Sequence, residues 1–236
     1  MNITSKTINV FSLCILVSGC ADKEQFREEF VQGLVRKMTL DEKVGQMTQV
    51  DKRMLDSDSD IANYFLGSLL SGGGSVPNDN TPVGWINMIN RYQKQALSTR
   101  LKIPLIYGID AVHGHSNVVG ATIFPHNIGL GCSNNPDLIY KVNQATAIEV
   151  AATGLHWTFS PCITVPKDDR WGRQYEGFSE STEIVTRLTH AAITGYEDEL
   201  DLIQGKKIAA CAKHFIGDGG TSWETGSLQE GMHTYK

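Results

Sequence analysis

The sequence predicts an α/β fold, an incomplete (β/α)8 TIM-type barrel comprising roughly the first four β/α units. Four apolar, strand-like runs, Phe65–Leu70, Ile103–Ile109, Leu155–Ile163 and Ile208–Phe215, alternate with amphipathic segments, the pattern of parallel β/α units. Polar, glycine-rich stretches follow the strands, where a barrel gathers its functional loops. No G-x-G-x-x-G or G-x-x-x-x-G-K-[ST] loop follows a strand, which counts against the alternative, a doubly wound sheet.

Residues 1–20 read as a signal peptide. Lys6 precedes the apolar run Val10–Val17, and the segment closes on Val17-Ser18-Gly19-Cys20, small residues before a cysteine as in a bacterial lipobox. The run is far short of the roughly 20 residues that span a bilayer. Cleavage would leave Cys20 lipidated and the protein tethered to a membrane surface, periplasmic or anchored to the outer membrane; plain secretion is the alternative. Residues 21–236 are then one N-terminal barrel portion, opening with a polar spacer.

Thr39-Leu40-Asp41-Glu42 is a capping box, so a helix is expected to begin at Leu40. Thr81-Pro82 opens a second helix, with Val83, Ile86, Ile89 and Leu97 at helical spacing. Asn135-Pro136 opens another, running through Leu138, Val142, Ala145 and Ile148 to Gly154, and a further helix covers Glu183–Gly195. The strand starts lie too far apart for bare β/α units, so each unit carries a long insertion. Too few residues follow His214 to close a barrel.

The 236 residues are 41% hydrophobic and 20% charged, enough to bury one large core. A net charge of −5 with no basic block excludes the phosphate-neutralising stripe that nucleic-acid binding requires. Beyond the leader, Cys132, Cys162 and Cys211 form no C-x-x-C pair, so buried free thiols are expected, with a Cys132–Cys162 bridge as the alternative.

Three polar clusters follow three of the strands: Gly108–His115, Asp168–Glu176 and Lys213–Gly220. Their shared position predicts Asp110, Arg173, Lys213 and His214 at the mouth of one pocket. A carboxylate accepts from two neighbouring hydroxyls while Arg, Lys and imidazole N–H groups donate to sugar oxygens, so this set suits a diol-rich ligand. Trp171 or Trp223 is a candidate stacking platform, with plain packing the alternative. Structural readings of the same residues are a loop cap for Asp110 and a surface pair with Glu176 or Glu180 for Arg173. His113-x-His115 has metal-ligand spacing, the mark of an amidohydrolase-like barrel, but supplies only two of the three or four ligands needed.

Gly108-Ile109-Asp110-Ala111-Val112-His113-Gly114, Arg170-Trp171-Gly172-Arg173-Gln174-Tyr175-Glu176 with Ser179-Glu180, and Lys213-His214-Phe215 resemble, in order, three N-terminal signatures of glycoside hydrolase family 3. The resemblance runs from Met38 to Gly220. It implies a β-glucosidase or exo-β-glucanase that removes terminal non-reducing β-D-glucosyl residues from β-glucosides or β-glucans with retention. It also implies that Asp110, Arg173, Lys213 and His214 grip the glucosyl unit before the scissile bond. No cofactor and no metal are implied. Asp218 stands where the family's N-acetylglucosaminidases carry a catalytic histidine, which places the chain with the glucosidases.

One departure concerns the mechanism. The family implies an Asp nucleophile in a Ser-Asp-Trp-like motif and an acid/base Glu beyond the barrel, and neither Ser-Asp-Trp nor Ser-Asp-Phe occurs. Both carboxylates are therefore expected beyond Lys236, in a parent of which this is a truncated product. A non-catalytic sugar-binding protein or an inactive fragment is the competing expectation. Linkage preference and oligomeric state are not written in the sequence.

Overall fold

The computed structural model describes residues 24–197, 207–215 and 217–220. The leader, Cys20 and Trp223 lie outside them. The chain opens with α1 (residues 24–37) where a polar spacer was expected. Glu24, Arg27, Glu28, Glu29, Arg36 and Lys37 make α1 strongly charged, and its apolar side chains Phe26, Phe30, Val31 and Val35 are exposed. Helix α2 (Leu40–Gln46) starts where the capping box places it, with Thr39 N donating to Glu42 Oε2 (2.8 Å) and Glu42 N to Thr39 Oγ1 (3.2 Å). Arg100 ties the same carboxylate across the fold at 2.7 Å.

The sheet is parallel, in the order β1 (Gln49–Asp51), β2 (Ser68–Ser71), β3 (Ile106–Ile109), β4 (Trp157–Thr158). Such an array of sequential parallel strands is part of a (β/α)8 wall. Its membership corrects the sequence reading at both edges. β1 was not expected, because Gln-Val-Asp is no apolar run. The expected strand Ile208–Phe215 is not continuous. It runs alongside β4 and its continuation through isolated bridges, Trp157 to Ala209 and Cys162 to Lys213, with Ala209, Cys211 and Lys213 N–H groups donating to His156, Ser160 and Pro161 carbonyls. Trp157 and Cys162 lie five positions apart while Ala209 and Lys213 lie four apart, so one extra residue falls between the two bridges and the ladder is interrupted there.

Helix α3 (Asp60–Asn63) precedes β2, and α4 (Pro82–Ser98) follows it, capped by Thr81 Oγ1 accepting from Gly84 N. The buried face of α4 is Trp85, Met88, Ile89, Tyr92 and Ala96; the expected Val83 and Leu97 are exposed. Helix α5 (Asn127–Cys132) lies between β3 and α6 (Pro136–Ala152), which Asn135 caps. On α6, Ile139, Val142, Ala147 and Val150 turn inward while Leu138 and Ile148 face out. Helix α7 (Thr182–Glu197) packs along α6.

One buried cluster joins the sheet to α4 through Leu69, Tyr107, Ile109, Trp85 and Met88; a second holds α5, α6 and α7 together. Two glycines permit backbone approaches that frame the site. A Cβ on Gly108 would overlap the Phe159 ring, and one on Gly131 would overlap the Phe178 carbonyl oxygen. Among the described residues, no helix is long and apolar enough to cross a membrane.

Candidate sugar-binding site

Asp110 follows β3, and its backbone is fixed from several sides. Asn117 Nδ2 donates to its carbonyl (3.0 Å), and Ala111 N bonds Thr158 Oγ1 on β4 (3.3 Å). Buried Tyr196 of α7 donates to Ala111 O (3.2 Å) and meets Ser160 Oγ at 2.9 Å. The strand exit is thus held by the helix layer behind it, leaving the carboxylate directed at Lys213, whose Nζ donates to Asp110 Oδ1 at 2.9 Å.

Arg173 sits at the head of a 3-10 turn, Gln174–Glu176. Asn127 of α5, buried, donates to Glu176 O (2.8 Å), which pins that turn to the helix beneath it. The guanidinium holds Glu176 in a two-pronged pair, Nε to Oε1 and Nη2 to Oε2, each at 2.7 Å. Burial raises the Glu176 carboxyl, but Arg173, with help from Lys213 and His214, outweighs it and leaves the pKa below the ordinary value. Glu176 is therefore an anion at neutral pH.

His214 stands one step behind. Arg173 Nη2 lies 2.7 Å from its Nε2, and Nδ1 lies 2.8 Å from Asp218 Oδ2. Because Arg173 can only donate, Nε2 must accept and Nδ1 carries the proton to Asp218. Burial and the guanidinium hold the imidazole below its ordinary pKa, Asp218 opposing them. The ring is thus neutral and orients Arg173. Beneath it Cys162 is fully buried, its Sγ 3.6 Å from Glu176 Oε2, and burial pushes the thiol up to about 12.

Asp110, Arg173, Glu176 and Lys213 surround one cavity of about 300 Å³, with His113, His126 and Tyr175 on its aromatic side. His126 stacks obliquely on His113 (4.0 Å) and meets the Tyr175 ring edge-on (4.7 Å). The volume is at the small end of ligand sites. His214 lies outside this lining, on a neighbouring cavity with Asp218. Trp171 is buried, and the exposed aromatic ring at the cavity is Tyr175. The ion pair and the pocket coexist: Arg173 holds Glu176 while facing the cavity. The sequence reading missed Glu176 and Cys162 as site members, and only the Arg-x-x-Glu spacing hinted at the first.

The His113-x-His115 pair does not converge. His113 Nδ1 donates to Phe124 O (2.8 Å), whereas His115 is buried in the core, edge-on to Trp85, its Nε2 bonded to Thr153 Oγ1 (2.9 Å). Among the described residues Cys132, Cys162 and Cys211 are free thiols, which excludes the Cys132–Cys162 bridge; Cys162 is buried, Cys211 is partly so and Cys132 is exposed.

Burial depresses the His115 pKa from 6.5 to about 4. Between these values the unfolded chain binds more protons, so stability is fully present above pH 6.5 and falls toward pH 4, by at most about 1.4 kcal/mol per pH unit. The thermal midpoint is expected to drop on acidification across this window, and less steeply in His115→Gln. Equal slopes for the two proteins would exclude His115 as the cause.

A sheet that delivers an acid, a guanidinium and an ammonium to one polar cavity beyond its strand ends belongs to a barrel-type protein with a polar-ligand site on its C-terminal rim. Residues 39–232 match the family described as "Glycosyl hydrolase family 3 N terminal domain", and the chain belongs to glycosyl hydrolase family 3. It is 35% identical to a lysosomal β-glucosidase of Dictyostelium discoideum over 81% of its length and 26% of that protein. A periplasmic β-glucosidase of Salmonella typhimurium is 33% identical over 84% of this chain and 25% of its own length. The crystal structure of an exo-1,3/1,4-β-glucanase from a Pseudoalteromonas species superposes with a TM-score of 0.78 at 42% identity, covering 83% of this chain and 25% of that one. The chain thus spans about a quarter of the length of the relatives it matches.

Proposed function

We propose that this chain supplies the glucosyl-binding subsite of a β-glucosidase or exo-β-glucanase that releases terminal non-reducing β-D-glucosyl residues with retention. The observation that carries the reading is the cavity in which the Asp110 carboxylate, held at 2.9 Å by Lys213, faces the Arg173 guanidinium. A sugar ring there meets one acceptor for adjacent hydroxyls and two fixed cationic donors. Each donor is already oriented by a second group, so little ordering remains when a sugar arrives.

Bond cleavage with retention needs a nucleophile and an acid/base carboxylate about 5–5.5 Å apart. Asp110 and Glu176 are the carboxylates lining the cavity among the described residues, and each is committed to a cation. Both are ground-state binding groups here, and the reacting pair is assigned to sequence beyond Lys236. The test is turnover of an aryl β-glucoside by this chain and by the chain continued through its downstream coding sequence. Activity in the longer protein alone is the expected result; full activity in the shorter one refutes this assignment.

Residues 1–20 act as an export signal and Cys20 as the lipid attachment point in the same proposal, supported by the leader pattern and by the periplasmic name of the Salmonella relative. Cys20→Ala is expected to move the protein from the membrane fraction to the soluble one. Unchanged partitioning removes the tether.

A further inference from the structure

We propose that Cys162, Glu176 and His214 form a binding site for a thiophilic divalent ion, zinc being the best fit, whose occupation opposes the Arg173 arrangement. This rests on the side-chain geometry and not on the sugar reading. One ligand atom from each of the three residues lies within 4.8 Å of the others. Sγ is 3.6 Å from Glu176 Oε2 and 3.9 Å from His214 Nδ1. Tetrahedral zinc, with bonds of about 2.3 Å to sulfur and about 2.0 Å to nitrogen or oxygen, needs ligand separations of about 3.5 Å. Small side-chain shifts therefore suffice, and a water or the Asp218 carboxylate, 2.8 Å from Nδ1, completes the shell.

Charge also favours the ion. With a neutral thiol, Glu176, Asp218 and Asp110 outnumber Arg173 and Lys213 by one negative charge. Adding a dication and releasing the thiol proton to water leaves four negative groups against two cationic side chains and a doubly charged ion, which is neutral. The second proton shift is internal: His214 must move its proton from Nδ1 to Nε2 to free a lone pair. An N–H at Nε2 then faces the Arg173 Nη2 donor, now 2.7 Å away, so that bond is lost. Glu176 can keep Oε1 on Arg173 Nε while Oε2 takes the metal. His214 and Asp218 line a cavity of about 370 Å³ beside the site, which gives the ion a route in.

The experiment is calorimetric titration of the chain with Zn²⁺, paired with the absorption spectrum of the Co²⁺-loaded protein. The expected result is one ion per chain and a thiolate-to-cobalt charge-transfer band with tetrahedral ligand-field absorption. The band should survive Cys132→Ser, which removes the exposed thiol, and disappear in Cys162→Ser, with zinc affinity falling at least tenfold. Should Cys162→Ser fail to fold, Glu176→Gln must weaken zinc binding by the same margin. Unchanged zinc affinity in the variant that folds, or a six-coordinate cobalt spectrum without the charge-transfer band, overturns the site.

Discussion

Asp110→Ala is expected to weaken glucose binding by about 10²–10³-fold, the loss of two hydrogen bonds to a charged acceptor. The carboxylate is the group on this cavity wall held by a lysine and fixed through its backbone by Asn117. Removing it also leaves Lys213, only 14% exposed, facing the cavity without its counter-ion, so the vacated space becomes unfavourable for a neutral sugar. Asp110→Asn keeps one acceptor oxygen and should fall between the alanine variant and the natural protein. Calorimetry against glucose, with circular dichroism to establish folding, reads both effects. A loss below about threefold in a folded alanine variant would contradict the role assigned to Asp110.

Trp85→Ala should destabilise the fold by about 3–5 kcal/mol, the range for deleting a large buried aromatic side chain. Trp85 is fully buried at the centre of the cluster joining α4 to the sheet, and its indole N–H donates to Asn80 Oδ1 at 2.7 Å. Its ring also meets His115 at 5.8 Å, in the loop that leaves Asp110. The cavity left behind therefore undermines the segment carrying Asp110. Urea denaturation measures the change; a loss under about 1 kcal/mol would show that α4 is not anchored through this residue.

The helix starts were legible because their determinants are local. Thr39 and Glu42, Thr81 with Pro82, and Asn135 with Pro136 act within one turn, and each begins its helix where expected. Which face is buried was less legible. On α4 the aliphatic residues Val83 and Leu97 suggested one stripe, whereas the buried face is built from Trp85, Met88, Ile89 and Tyr92, two of them aromatics with polar tips. β1 carries no pattern of its own and exists through pairing with β2, 19 residues further along the chain in register. Asp110, Arg173 and Lys213 were recognisable by residue type and by position after strands. That Lys213 would reach a carboxylate 103 residues earlier, and that His214 would turn to Asp218 and Arg173, depends on tertiary packing. Cys162 was read as core filling, and its burial bears that out; its nearness to Glu176 and His214 is set by how the 207–213 segment lies against residues 156–163.

The most direct measurement is a crystal structure of the chain with glucose bound. One ring is expected in the cavity of about 300 Å³, two adjacent hydroxyls on the Asp110 carboxylate and others receiving bonds from Lys213 and Arg173. Glucose lodged instead in the larger, apolar cavity between α2 and α3, of about 610 Å³, or found in neither place at saturating concentration, would contradict the glucosyl-subsite reading.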